Sequence, residues 1–295
     1  MKTPYPTINQ SIGIVGILIG GMLLASPVLF TENLIGKGAS FFLYYVVSMA
    51  IALAIVLTIR KNKTQEQQTF HFEVEDTSVV PFIMLATLGL IFGITAPLTS
   101  LIPVPDFFKK ILLDLGNQTG LFSFLTIVIA APVLEELIFR GIILDGLLKR
   151  YNPVKAILFS SFLFGFIHLN PWQFVGAGIL GIFMGWIYYR TRSVALTIII
   201  HLTNNLAAFS LGQLSELTME NIDEPLMDYY GGIVPMVLIT TSAIVVLVAC
   251  VYYLHQKMNP SPQALYANPL ENAVVDSLSD SPDQVQMETT RKDAD

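Results

Sequence analysis

The chain alternates between long apolar runs and short polar breaks. A helix crossing the hydrocarbon core of a bilayer needs about 20 apolar residues, and qualifying runs lie near residues 10–30, 40–59, 79–102 and 121–140. Four more follow near 153–169, 172–189, 193–211 and 232–254. The fifth is short enough that it must be tilted, buried or extended by its flanks. The pattern predicts an all-α, polytopic membrane protein with about eight transmembrane helices around a buried cavity. The first run follows Lys2 but is longer than a usual signal core and has no A-x-A exit, so it reads as a retained helix.

The polar breaks give an orientation, because basic residues are held on the cytoplasmic side. With the N-terminus inside, the inner segments hold Lys2, Arg60, Lys61, Lys63, Arg140, Lys149, Arg150, Lys155, Arg190, Arg192 and Lys257. The outer ones hold Lys37, Lys109 and Lys110. Both termini are therefore expected in the cytoplasm, with the bilayer, at the plasma membrane, as the first partner. Composition agrees: 53% of the chain is hydrophobic and 13% charged, where a water-soluble domain carries about 25% charged residues. The net charge of −6 is local, with seven acidic residues after His255 and five between Glu216 and Asp228. No basic stripe with interleaved aromatics supports a nucleic-acid partner. One cysteine, Cys250, makes neither an internal disulfide nor a cysteine-based zinc site.

Four regions follow from this pattern. Residues 1–120 hold N-terminal helices and loops, including a polar inner loop at 60–78 and an amphipathic outer stretch at 103–119. Residues 121–211 hold most of the intramembrane polar groups, 212–255 an acidic outer loop and the last helix. Residues 256–295 are too polar to offset chain entropy and read as a disordered tail.

Ionisable groups inside spans are costly and mark functional sites by default. The polar residues within the runs are Glu135, Glu136 and Arg140 in the fourth, His168 closing the fifth, and His201 with Asn204 and Asn205 in the seventh. Glu135 and Glu136 point about 100° apart on a helix and should not share one role. Arg140 lies one turn after Glu136, the favourable order for an acid–base pair, which leaves Glu135 to act as general base on a water. A blander reading makes Arg140 the cytoplasmic end of its helix with Glu136 as surface partner. His168 stands one turn after Phe164, just before an Asn-Pro break, and alone is more often an interfacial residue than a ligand. His201 with Asn205 one turn later could donate to an oxyanion; alternatively, the two asparagines bridge helices without any reaction. Ala177, Gly181 and Gly185 repeat every four residues on the sixth run, a pattern for close helix packing.

These clusters resemble the motifs of the CAAX prenyl protease and bacteriocin-processing (Abi-type) family of intramembrane endopeptidases. E-E-x-x-x-R reads EELIFR from Glu135 to Arg140, F-x-x-x-H reads FGFIH from Phe164 to His168, and H-x-x-x-N reads HLTNN from His201 to Asn205. Together they span about 70 residues. The resemblance implies hydrolysis of a peptide bond in a membrane-associated or lipid-modified polypeptide. Glu135 and His168 would activate water, His201 and Asn205 would stabilise the oxyanion, and Arg140 would orient Glu136. Two histidines and a glutamate leave zinc open as a cofactor, although H-E-x-x-H is absent and a metal-free mechanism suits the same residues. Two other classes compete: a peptide-binding or bacteriocin immunity protein on the same fold, and a proton-coupled transporter using the same groups as a relay.

Overall fold

The structure is a computed structural model, and it describes residues 4–106, 108–109, 120–214 and 224–258. Most of the amphipathic stretch at 103–119, the centre of the acidic outer loop and nearly all of the polar tail lie outside the described residues. Within them the chain is all helix, with no strand. Its rods are α1 (Ile8–Ala25), α2 (Lys37–Thr64), α3 (Thr77–Thr99), α4 (Leu121–Leu148), α5 (Pro153–Phe166), α6 (Pro171–Thr191), α7 (Val194–Leu214) and α8 (Ile233–Lys257). Six stretches have the length and apolarity to cross a membrane: Ile8–Ile35, α2, α3, α4, Val194–Gly212 and α8. The chain is thus an integral membrane protein. Of the eight expected runs, α5 has 14 residues and α6 has 21 but is less apolar. These two pack on one another and on the polar site.

Local sequence sets the helix starts. Thr7 and Gln10 form a reciprocal capping box ahead of α1. Helices α5 and α6 both begin with an Asn-Pro pair, where Asn152 and Asn170 accept from the backbone N–H three residues on and the proline fills the first helical position.

Rod α4 is the centre. Every residue from Ile138 to Leu144 is buried, Arg140 included. Arg140 therefore belongs inside the helix bundle and not to an inner loop, which replaces its place in the basic-residue count above. A helix enclosed on all sides must be held by its neighbours. In lipid, close van der Waals contact does this better than burial of apolar area, and α6 meets α5 through small residues. A Cβ added at Gly181 would lie 3.0 Å from the Cβ of Ser161, and one at Gly185 would lie 2.9 Å from Ile157. The four-residue repeat on α6 is thus a packing stripe.

One end of the bundle is stitched by its loops. The backbone N–H of Val194 donates to the carbonyl of His71 (2.8 Å), and Gln68 donates through Nε2 to the Gly141 carbonyl (3.0 Å). Arg150 donates to the Pro4 carbonyl (2.6 Å) and Arg190 to the His255 carbonyl (2.8 Å). The segment 65–76 and the N-terminal residues therefore lie across the same end as the breaks after α4, α6 and α8.

Replacing Gly181 by leucine should destabilise the fold by about 1–3 kcal/mol through overpacking. Gly178→Ala, where an added Cβ meets nothing within 4 Å, should leave it unchanged. Thermal unfolding in detergent compares the two directly.

Candidate active site

Helix α4 carries its polar residues between two defects. Residues Leu125–Ala130 and Phe139–Leu144 are π-helical and flank the regular turns Ala131–Ile138 that hold Glu135 and Glu136. Single π turns mark functional sites because they rotate the side chains that follow. Pro132 explains the first. In a π turn the N–H of residue 132 would bond the carbonyl of Ile127, and proline has none. Asn205 supplies the missing donor, its Nδ2 reaching the Ile127 carbonyl at 2.8 Å. At the second defect Ser160 donates to the Phe139 carbonyl (3.3 Å).

The charges form a chain. Arg140 Nη1 donates to Glu136 Oε1 at 2.7 Å, with side chains 1% and 0% exposed. The same Oε1 lies 3.0 Å from His201 Nδ1. A carboxylate oxygen that pairs with Arg140 accepts, so a proton of His201 sits on Nδ1 and Nε2 points onward. That atom is 4.0 Å from Oε2 of Glu135. The other oxygen of Glu135 accepts a 2.6 Å hydrogen bond from the Tyr45 hydroxyl on α2. The two neighbouring glutamates are thus differently employed, Glu136 fully enclosed and Glu135 17% exposed.

Phe164 joins the remaining groups. Its ring stacks edge-on against His168 (5.4 Å), His201 (5.5 Å) and Phe139 (5.1 Å), and the Arg140 guanidinium lies 4.5 Å from its centre. His168 follows the end of α5, in a turn closed by Leu169 at φ +56°. Its Nδ1 is 2.9 Å from the Phe164 carbonyl, so Nδ1 carries the proton and Nε2 is the basic atom. The Phe164 ring touches both histidines and so joins the end of α5 to α7.

A cavity of about 840 Å³ adjoins the site, with Phe164, His168, His201 and Asn204 in its wall. Glu135, Glu136, Arg140 and Asn205 are not part of that wall, and Glu135 adjoins it through His201. The asparagines differ from each other: Asn205 holds α4, while Asn204 lines the cavity and donates to Asn205 Oδ1 (3.0 Å). Sequence reading missed Tyr45, which lies 90 residues from its partner. A tyrosine inside an otherwise apolar run was the signal available.

Among the described residues no three His, Cys, Asp or Glu side chains converge as a metal site requires. Each of the two histidines has one ring nitrogen on a neighbouring oxygen and the other directed elsewhere.

Removing one partner of a buried ion pair leaves an uncompensated charge, which costs about 3–5 kcal/mol. Arg140→Met should lower the midpoint of thermal unfolding accordingly, whereas the double variant Arg140→Met with Glu136→Leu should recover most of the loss.

Comparison with known proteins places the motifs in one matched segment. Residues 117–207 match the family model "Type II CAAX prenyl endopeptidase Rce1-like". A protein of Bacillus subtilis (strain 168) named "Putative membrane peptidase YdiL" is 35% identical over 77 residues. That match covers 26% of this chain and 32% of the relative, so it spans about a third of the relative's length. No solved structure matches significantly. The central part of the chain, with all three motifs, is similar to the type II CAAX prenyl endopeptidases.

Proposed function

We propose that the protein is an intramembrane endopeptidase that hydrolyses a peptide bond of a membrane-associated or lipid-modified polypeptide. One observation carries the reading: the buried relay Arg140–Glu136–His201 ends 4.0 Å from a second carboxylate, Glu135, which Tyr45 holds from the far side. A structural ion pair alone would need neither the histidine nor the second glutamate.

The residues divide the work by their protonation. Glu135 and the basic Nε2 of His168 take a proton from water, which attacks the scissile carbonyl. In its doubly protonated form His201 donates through Nε2 to the oxyanion as it forms, while Nδ1 stays on Glu136. The amide on the oxyanion is that of Asn204, which lies in the wall, while Asn205 bonds the Ile127 carbonyl and accepts from Asn204. The proton taken from water then passes to the leaving amine as the C–N bond breaks. Arg140 never touches substrate; it keeps Glu136 charged and in place.

This reading predicts that Glu135→Gln abolishes cleavage of a membrane-peptide library by the purified protein while the fold persists. Loss of the general base should cost about 100-fold to 10,000-fold. Tyr45→Phe removes one hydrogen bond to a charged group, worth about 1.5–3 kcal/mol, and should lower kcat by about tenfold or more with KM little changed. Exhaustive chelation should leave the rate intact. Equal cleavage by wild type and Glu135→Gln would overturn the mechanism. Proton-coupled flux in vesicles without cleavage would favour a transporter, and tight peptide binding without cleavage an immunity or binding protein.

A further inference from the structure

The cavity and the basic residues lie at opposite ends of the bundle. Among the described residues nine Lys and Arg sit at one end, namely those between Arg60 and Lys63, between Lys149 and Lys155, at Arg190 and Arg192, and at Lys257. The hydrogen bonds that stitch segment 65–76, the N-terminal residues and the α8 terminus together place all of them at that end. The opposite end carries Lys37 and Lys109. Even with Arg140 withdrawn from the count, the partition is steep enough to set orientation by retention of positive charge.

The cavity runs the other way. From His201 and Phe164 its wall passes Thr95 and Thr99 at the end of α3, then Ile102, Trp172 beyond the α5–α6 turn, and Tyr229 in the segment before α8. All of these belong to breaks at the end away from the basic cluster. At the basic end α4 is covered instead: an added Cβ at Gly141 would fall 2.6 Å from the Phe70 ring, and one at Gly146 would fall 2.2 Å from Pro6. The cavity therefore leads from His168 and His201 to the end with the fewer positive charges.

We infer that the chamber opens on the extracytoplasmic face, and that the substrate is a polypeptide segment presented there, the exported part of a secreted or membrane-anchored chain. This rests on the peptidase reading for the word substrate, but the direction of access stands on geometry and charge alone. A C-terminal segment lying in the cytoplasm would meet the covered end of α4.

Cysteine accessibility tests the direction without any cleavage. The native Cys250 is replaced by alanine, and single cysteines are placed at Thr99 in the cavity wall, at Asp228 on the same end, and at Lys149 on the basic end. Intact cells are treated with a membrane-impermeant maleimide, and the labelling is normalised to that obtained after detergent solubilisation. Normalisation removes variants that do not accumulate, and Asp228→Cys serves if Thr99→Cys is lost. The inference expects Thr99→Cys and Asp228→Cys to label in intact cells, with Lys149→Cys labelling at least tenfold more after permeabilisation. The reverse pattern, or Thr99→Cys labelling only after permeabilisation, overturns it. A parallel assay of Glu135→Gln against wild type on an exported reporter reads the peptidase step separately, so failure of one reading is not mistaken for failure of the other.

Discussion

The Arg140–Glu136 ion pair sits where water is absent and each charge would be intolerable alone. Four helices are arranged by the need to satisfy it. Helix α4 supplies both partners, α6 offers the Gly181 carbonyl to Arg140 Nη2 (3.3 Å), α5 lays the Phe164 ring against the guanidinium, and α7 brings His201 to the carboxylate. The glycine at 181 has two duties at once, since the absence of a side chain lets α5 approach and exposes the carbonyl that the arginine uses. The pair is not optimised for stability: Glu136 Oε2 and Arg140 Nε are buried without a hydrogen-bond partner among the described residues. A well-packed apolar pair would serve the fold as well or better. What the pair adds is a fixed carboxylate oxygen 3.0 Å from His201 Nδ1.

The same helix shows how backbone defects are tolerated in a membrane. Two π-helical segments in one rod would leave carbonyls without donors, and hydrocarbon offers none. Side chains from α7, α5 and the 65–76 segment bond these carbonyls instead: Asn205 at Ile127, Ser160 at Phe139, Gln68 at Gly141. The polar residues near the site thus form two populations, those that face the cavity and those that repair α4. Asn204 and Asn205, adjacent in sequence, fall one in each.

Much of this was legible in local patterns. The apolar runs gave the helices because a span must satisfy its own backbone over about 20 residues, and that length is written consecutively. The spacing of Glu136 and Arg140, and of Phe164 and His168, put each pair on one helical face, because neighbours one turn apart meet whatever the fold. The partition of Lys and Arg among the breaks was equally plain, and so was the small-residue stripe of α6.

What tertiary structure decided are the meetings of residues far apart in the chain, for which sequence has no period. Tyr45 on α2 finds Glu135, Asn205 finds a carbonyl that Pro132 orphaned, and His201 finds Glu136 across 65 positions. Covering one end of α4 with Phe70 and Pro6 while the cavity lies at the other is likewise a product of packing. Sequence by itself determined that apolar helices dominate the chain and which turn-neighbours pair, since both follow from the geometry of one helix. Only the packed bundle decided which carboxylate is enclosed, which amide repairs the backbone and at which end the cavity lies, because those depend on how helices cross.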